Sequence, residues 1–177
     1  MSGVRRVIVG VSGSPGSLQA LRHAADLARA DDASLVPVLA WTPPGGDLAD
    51  RRHPSPYLRQ IWRDAARQRL REAIDLALGG VPEDVCVESD VVRGDPGDVL
   101  VGMACHPDDV LVIGAGRRGT LARALSCRVS RYCLAHAQCP VIAVPPSELA
   151  QVSHGLRGWA FRHRGLSPDD LGLPAAH

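Results

Sequence analysis

Hydrophobic positions along the chain follow two rhythms that alternate as far as residue 144. Five short runs rich in branched aliphatics predict strands: Arg5 to Val11 (R-R-V-I-V-G-V), Ser34 to Trp41 (S-L-V-P-V-L-A-W), Asp84 to Val92, Asp109 to Ile113, and Cys139 to Val144. Between them the spacing becomes helical. From Ser17 to Ala30, Leu18, Leu21, Ala24, Ala25 and Ala28 share one face, with Arg22, Asp26 and Arg29 opposite. From Tyr57 to Leu78 the expected buried stripe is Leu58, Ile61, Trp62, Ala65, Leu70, Ala73, Ile74 and Ala77. Gly94-Asp95-Pro96 reads as turn, N-cap and first helical residue of a helix to about Cys105. A last helix runs from Leu121 to Ala137. Pro37 lacks a backbone donor and suits an interior strand poorly. Thr42 to Ser55, rich in Pro, Gly, Asp and Arg, predicts a long exposed loop.

Strands that alternate with helices predict an α/β fold, a doubly wound five-stranded parallel sheet in the order 3-2-1-4-5. The switch point then falls between strands one and four. Two turn-rich loops, Ser12 to Ser17 and Gly114 to Thr120, face each other there. Ser14 before Pro15, or Ser17 before Leu18, can cap the first helix. The most informative stretch is Val110 to Thr120 (V-L-V-I-G-A-G-R-R-G-T), a buried strand that turns through glycines into a helix. A helix N-terminus aimed out of a parallel sheet favours an anion, and Arg117 and Arg118 add donors. Read literally, Gly114 to Gly119 is G-x-G-x-x-G. A dinucleotide fingerprint opens its fold, however, and is followed about 20 residues on by an acid. Leu134 to Val141 contains none, so that reading is set aside.

Composition bounds the rest. The chain has 177 residues, 45% of them hydrophobic and only 3% aromatic, so the core must be aliphatic. Net charge is +1, which argues against a domain built for nucleic acid. Every basic residue is Arg, which coding bias suffices to explain. Arg59, Arg63, Arg67 and Arg71 recur along the long helix, but Asp64, Glu72 and Asp75 lie among or beside them, and a solvated face is expected. The cysteines, Cys86, Cys105, Cys127, Cys133 and Cys139, are odd in number and form no C-x-x-C pair, so buried thiols are expected rather than a disulfide framework. Cys133 and His136 could share a helix face, but no metal site emerges. The N-terminus is too short in apolar residues for a signal peptide and nothing approaches a membrane span, so a cytoplasmic location is expected. Residues 1–146 are expected to form one domain. Residues 147–177 mix His154, Arg157, Trp159, Phe161, Arg162, His163 and Arg164 without periodicity and read as a poorly ordered extension.

Several short motifs in order resemble the universal stress protein family: Val7 to Val11 with Gly13-Ser14-Pro15, Val92 to Pro96, Val110 to Gly114, and Cys139 to Val144. The resemblance covers about Val4 to Val144. It implies the five-stranded sheet, often a homodimer joined through the last strand (here Pro140, Val141, Ile142, Ala143 and Val144), and in one subclass a bound ATP. The positions it implies for nucleotide contact are Val11, Ser12, Ala40, Ile113, Gly114, Arg117, Cys127, Arg128, Val129 and Ser130. ATP-binding members show G-x2-G-x9-G-[S/T]. The chain keeps Gly114 and has Arg117, Cys127 and Arg128 at the other three positions, while Ser130 is retained. Ser12 stands where those members carry an acid.

These departures leave three readings. The first is a non-catalytic stress-response binding or signalling module whose ATP site is altered or lost, since a Cβ at positions 117 and 127 takes space that glycine leaves to phosphate. The second is an enzyme, because Ser12 to Ser17 resembles the S-G-G-x-D-S loop of ATP pyrophosphatases, with Gly16 where that loop has Asp. No nucleophile–base pair or carboxylate dyad accompanies it. The third is a sensor of another phosphate-bearing ligand, held by Arg117 and Arg128.

Overall fold

A computed structural model describes residues 3–115 and 123–145, apart from the side chains of Ala49 and residues 123–127. The expected extension at 147–177 lies outside the described residues. The elements are β1 (Arg6–Gly10), α1 (Pro15–Asp31), β2 (Ser34–Trp41), α2 (Gly46–Arg52), α3 (Pro56–Leu78), β3 (Asp90–Arg93), α4 (Pro96–Met103), β4 (Asp109–Gly114), α5 (Arg123–His136) and β5 (Val141–Val144). All strand pairs are parallel and the order is β3-β2-β1-β4-β5, as the sequence predicts.

Alternation along the strands sends side chains to two layers. Val7, Val9, Leu35, Leu39, Val110 and Val112 pack with α1 and α3, against Leu21, Ala24, Leu70 and Ile74. Ile8, Val36, Val38, Leu111 and Ile113 pack with α4 and α5, against Leu100, Ala104 and Cys133. Ile8, Leu21, Leu35 and Leu111 are fully buried, each contributing about 2–3 kcal/mol of transfer free energy. Small residues set the spacing of the second layer. A Cβ on Gly10 would lie 2.8 Å from Leu100 Cδ1, and one on Gly97 2.7 Å from Tyr132 Cδ1.

The helix ends follow their residues. Ser14 caps α1, its Oγ accepting from Ser17 N at 3.3 Å, with Pro15 in the first turn. Asp32 ends the helix in the left-handed region at φ 52°. Ser55 and Gly79 cap the two ends of α3, and Arg22 of α1 donates to the carbonyls of Ala77 (3.0 Å) and Leu76 (3.1 Å) there. Asp95 caps α4, accepting from Gly97 N at 3.1 Å.

Three expectations are corrected. The segment 42–55 is not all loop: Gly46 to Arg52 is α2, and Asp50 in it is buried against Arg59 and Arg93. The third strand is shorter than Asp84 to Val92. A bridge at Leu35–Val87 and a ladder starting at Val38–Asp90 share one register, and the break lies opposite Pro37, which has no N–H to donate. In α3 the buried small residue is Ala66 and not Ala65, while Leu58 and Ile61 are 42% and 43% exposed. A 23-residue helix is about 35 Å long and outruns the four-residue β3 beneath it.

Candidate functional site

The carboxyl ends of β1 and β4 lie side by side, and the start of α1 rises between them. Val11 extends β1, its N–H donating to Val38 O at 2.8 Å. The chain then turns through Gly13, at φ 76°, into the cap of α1. Three serines knit this turn together. Ser17 is 5% exposed; its Oγ donates to Ser14 O at 2.9 Å and accepts from Ser12 N at 3.2 Å. Ser12 Oγ donates to Ser14 Oγ at 3.1 Å and remains exposed. The sequence identifies Ser14 and Ser17 as alternative caps. Ser17 is instead the anchor of the loop, a role that the S-x-S-x-x-S spacing around Pro15 could have signalled.

From the other side, Gly114 ends β4 against α1. A Cβ there would lie 2.8 Å from Gly16 C, 2.9 Å from Gly16 O and 3.1 Å from Ser17 N, so this close approach requires glycine. Ser130 of α5 donates its Oγ to Gly114 O at 3.1 Å. Ala115 N donates to Val144 O at 2.8 Å, tying the same loop to β5. Val11, Ser12, Gly114 and Ser130 are therefore gathered around the switch point. Ile113 is buried in the α4/α5 layer, Val129 packs against that layer, and Arg128 is exposed on α5. Ala40 stands on β2, on the far side of β1 from β4. Arg117 lies outside the described residues, as does the side chain of Cys127, although its backbone belongs to α5.

Chemically the crevice offers the N-terminus of a 17-residue helix, serine hydroxyls and a strand-end glycine. That set favours an anion and carries no charge of its own. Among the described residues no hydrogen bond joins these hydroxyls to a histidine or carboxylate that could activate them. Nor do three His, Cys, Asp or Glu side chains gather there as a metal site. His136 Nδ1 lies 2.9 Å from Tyr132 O, and Cys133 is fully buried, its thiol pushed up to about 11 by that burial. The buried carboxylate of Asp109 lies at the opposite, amino end of the sheet. Burial raises its pKa, but the Arg6 hydrogen bonds (2.9 and 2.7 Å) and the N–H of His106 (2.9 Å) outweigh that and hold it below the ordinary value.

A parallel sheet in this order, with a capped helix opening onto its switch point, defines the class of open α/β binding domains whose ligands lie beyond the strand ends. More narrowly, the chain belongs to the universal stress protein family, whose sequence profile matches residues 3–145. It is 32% identical over 145 residues to universal stress protein Rv2005c of Mycobacterium tuberculosis, covering 78% of this chain and 47% of that protein. The chain thus spans about half the length of the curated relatives it matches. Among solved structures, a universal stress protein in complex with cAMP is 27% identical, with a TM-score of 0.52 over 82% of this chain and 100% of that one. Universal stress protein UspA from Lactobacillus plantarum, 19% identical over 81% of this chain and 99% of that one, has a TM-score of 0.59 and shares the fold. Among the described residues no helix is long and apolar enough to cross a membrane.

Proposed function

We propose that the chain is a non-catalytic binding and signalling module of the stress-protein kind, cytoplasmic and dimeric through β5, in which the ATP site of the nucleotide-binding subclass, at the β1/β4 crevice, is altered or lost. The observation that carries this is the serine cluster at the end of β1. Ser12 puts a neutral hydroxyl where ATP-binding members carry an acid, and that hydroxyl is engaged by Ser14. The similar stress protein complexed with cAMP supports an adenine nucleotide as the class of ligand to test first. Residues 1–146 are the functional unit of this reading, and the proposed crevice contacts are Val11, Ser12, Gly114 and Ser130, with Ala40, Ile113, Arg128 and Val129 as further candidates and Arg117 and Cys127 assigned from the family pattern alone.

The test is mass spectrometry of ligand carried through gentle purification, then calorimetric titration with ATP and cAMP. The expected result is no copurified ATP, ATP affinity weaker than about 1 mM, and no release of ADP or pyrophosphate. Tight ATP binding would refute the lost site, and nucleotide-dependent product release that disappears in Ser12→Ala would refute the non-catalytic assignment. Light scattering at increasing concentration tests the dimer, which a charge introduced by Ala143→Asp on β5 should dissociate.

A second reading is favoured by one observation: Arg128 is exposed on α5 with no ion pair to any described residue. It would hold a phosphate ligand smaller or more charged than ATP. Arg128→Ser should then weaken binding of that ligand, whereas under the leading reading it leaves ATP binding unchanged or raises it.

A further inference from the structure

A second recess lies away from the switch point, at the β3 edge of the sheet under the first half of α3. Its volume is about 570 Å³, within the range of small-molecule sites. Trp41, Val91 and Val92 give it apolar surface, and Pro56, Arg59, Gln60 and Arg63, spaced along one face of α3, form its wall with Asp90 and Arg93 opposite. Trp41 belongs to the α1/α3 core layer, whereas alternation sends Ala40 to the other side of the sheet. The recess is therefore separate from the crevice discussed above.

The arginines are arranged in an unusual way. Asp50, only 2% exposed in its side chain, holds two of them from behind the lining: Arg59 Nε at 3.0 and 2.9 Å, and Arg93 Nη2 at 2.9 Å. Asp47 takes Arg93 Nε at 3.2 Å and Nη2 at 2.5 Å. The hydrogen bonds of Arg59 thus use only Nε, and those of Arg93 leave Nη1 unused. Arg63 makes no ion pair or hydrogen bond with any described residue. The lining's carboxylate, Asp90, accepts the N–H of Val91 at 2.8 Å. Three guanidinium groups and one carboxylate therefore line the recess, two of the three pinned in place by a buried anion, beside an indole.

We infer that this recess binds a small ligand with an apolar body and an oxyanion, the body lying along the α3 wall over the 8% and 7% of Trp41 and Val91 that remain exposed, and the oxyanion held by Arg63 with the free nitrogens of Arg59 and Arg93. Guanidinium forks match phosphate and carboxylate equally, and an oxyanion on either is the shared chemistry. Pinning by Asp50 reduces the side-chain freedom lost on binding, which is how a shallow site gains affinity.

The test titrates the intact protein with phenyl phosphate, benzoate, inorganic phosphate and phenol by calorimetry, and follows the Trp41 indole N–H by NMR. Expected are saturable binding of phenyl phosphate or benzoate, tighter than inorganic phosphate or phenol, with a shift of the Trp41 signal. Phenyl phosphate alone would assign a phosphate ester, and both together would assign oxyanions generally. Arg63→Ala, on an exposed helix face, should lower affinity by about tenfold or more and Arg63→Lys by less. Saturating cAMP should leave the titration unchanged. Absence of saturable binding, equal binding by Arg63→Ala, or displacement by cAMP would each overturn the assignment.

Discussion

Replacing Gly114 by alanine tests whether the end of β4 is shaped by packing or by a ligand. The added Cβ would stand 2.8 and 2.9 Å from Gly16 C and O and 3.1 Å from Ser17 N. Carbon contacts are comfortable at about 3.5 Å, so the start of α1 or the end of β4 must retreat by roughly half an ångström. Both partners are backbone, which cannot rotate aside as the tip of a leucine can. Overpacking of this kind costs about 1–3 kcal/mol, and the retreat also loosens the Ser17 N–H bond to Ser14 that caps α1. For a domain of this size a loss of about 2 kcal/mol lowers Tm by about 4–8 °C. The assay is urea and thermal unfolding of nucleotide-free protein, with the Ser17 amide followed by NMR. Gly102 of α4 is the control: a Cβ there meets nothing within 4 Å, so Gly102→Ala should gain up to about 1 kcal/mol. If Gly114→Ala matches the wild type while Gly102→Ala shows its gain, the packing argument for Gly114 is wrong.

Asp109→Asn should cost about 3 kcal/mol at neutral pH, near the low end for breaking a buried pair because Arg6 is 32% exposed. The folded pKa of Asp109 is depressed, so its contribution is complete above the unfolded value near 3.8 and is lost as pH falls through the folded one. Urea midpoints of the two proteins should converge below about pH 4, and a constant gap from pH 7 to pH 2.5 would contradict this. Cys133, buried and with its thiol pushed up to about 11, should resist iodoacetamide at pH 8 until denaturant is added, whereas exposed Cys86 and Cys105 should label in the folded protein. Peptide mass spectrometry reads this, and labelling of Cys133 at the rate of Cys86 would count against its burial. Arg22→Ala should cost about 0.5–1 kcal/mol and speed amide exchange in the last turn of α3, where its two carbonyl contacts lie.

The strand order was legible because each buried run is short, aliphatic and followed by turn chemistry, and because a doubly wound order follows from alternation with helices. What the sequence obscured had local causes. Composition hid α2, since Gly46, Asp47 and the flanking prolines read as loop while the contact that fixes it, Asp50 to Arg59 and Arg93, is long-range for Arg93. Periodicity in α3 cannot tell which turns lie over the sheet, so Leu58 and Ile61 looked buried. The β3 ladder breaks at Pro37, yet β2 persists because its odd positions face β3 while Ser34 and Val38 bond to β1, so the missing N–H leaves the β1 side intact. In the crevice, Val11, Ser12, Gly114 and Ser130, which the family resemblance names, lie around the ends of β1 and β4. The Ser17 anchor was not legible, because a hydroxyl bonding back across five residues leaves only a spacing in the sequence.

The retained residues of the nucleotide pattern carry less functional meaning than their retention suggests. Gly114 is required by the backbone of Gly16 and Ser17, and Ser130 satisfies the carbonyl of Gly114. Each would be needed to close β4 onto α1 and α5 with nothing in the crevice. The two other positions are exposed: Ser12, uncharged at the mouth and bonded only within its own loop, and Arg128 on α5. Both have departed from the ATP-binding pattern, one by losing an acid and the other by gaining a cation. Under the proposed reading, departures at exposed positions beside retention at packed ones are what a fold re-used for another ligand or for none would show.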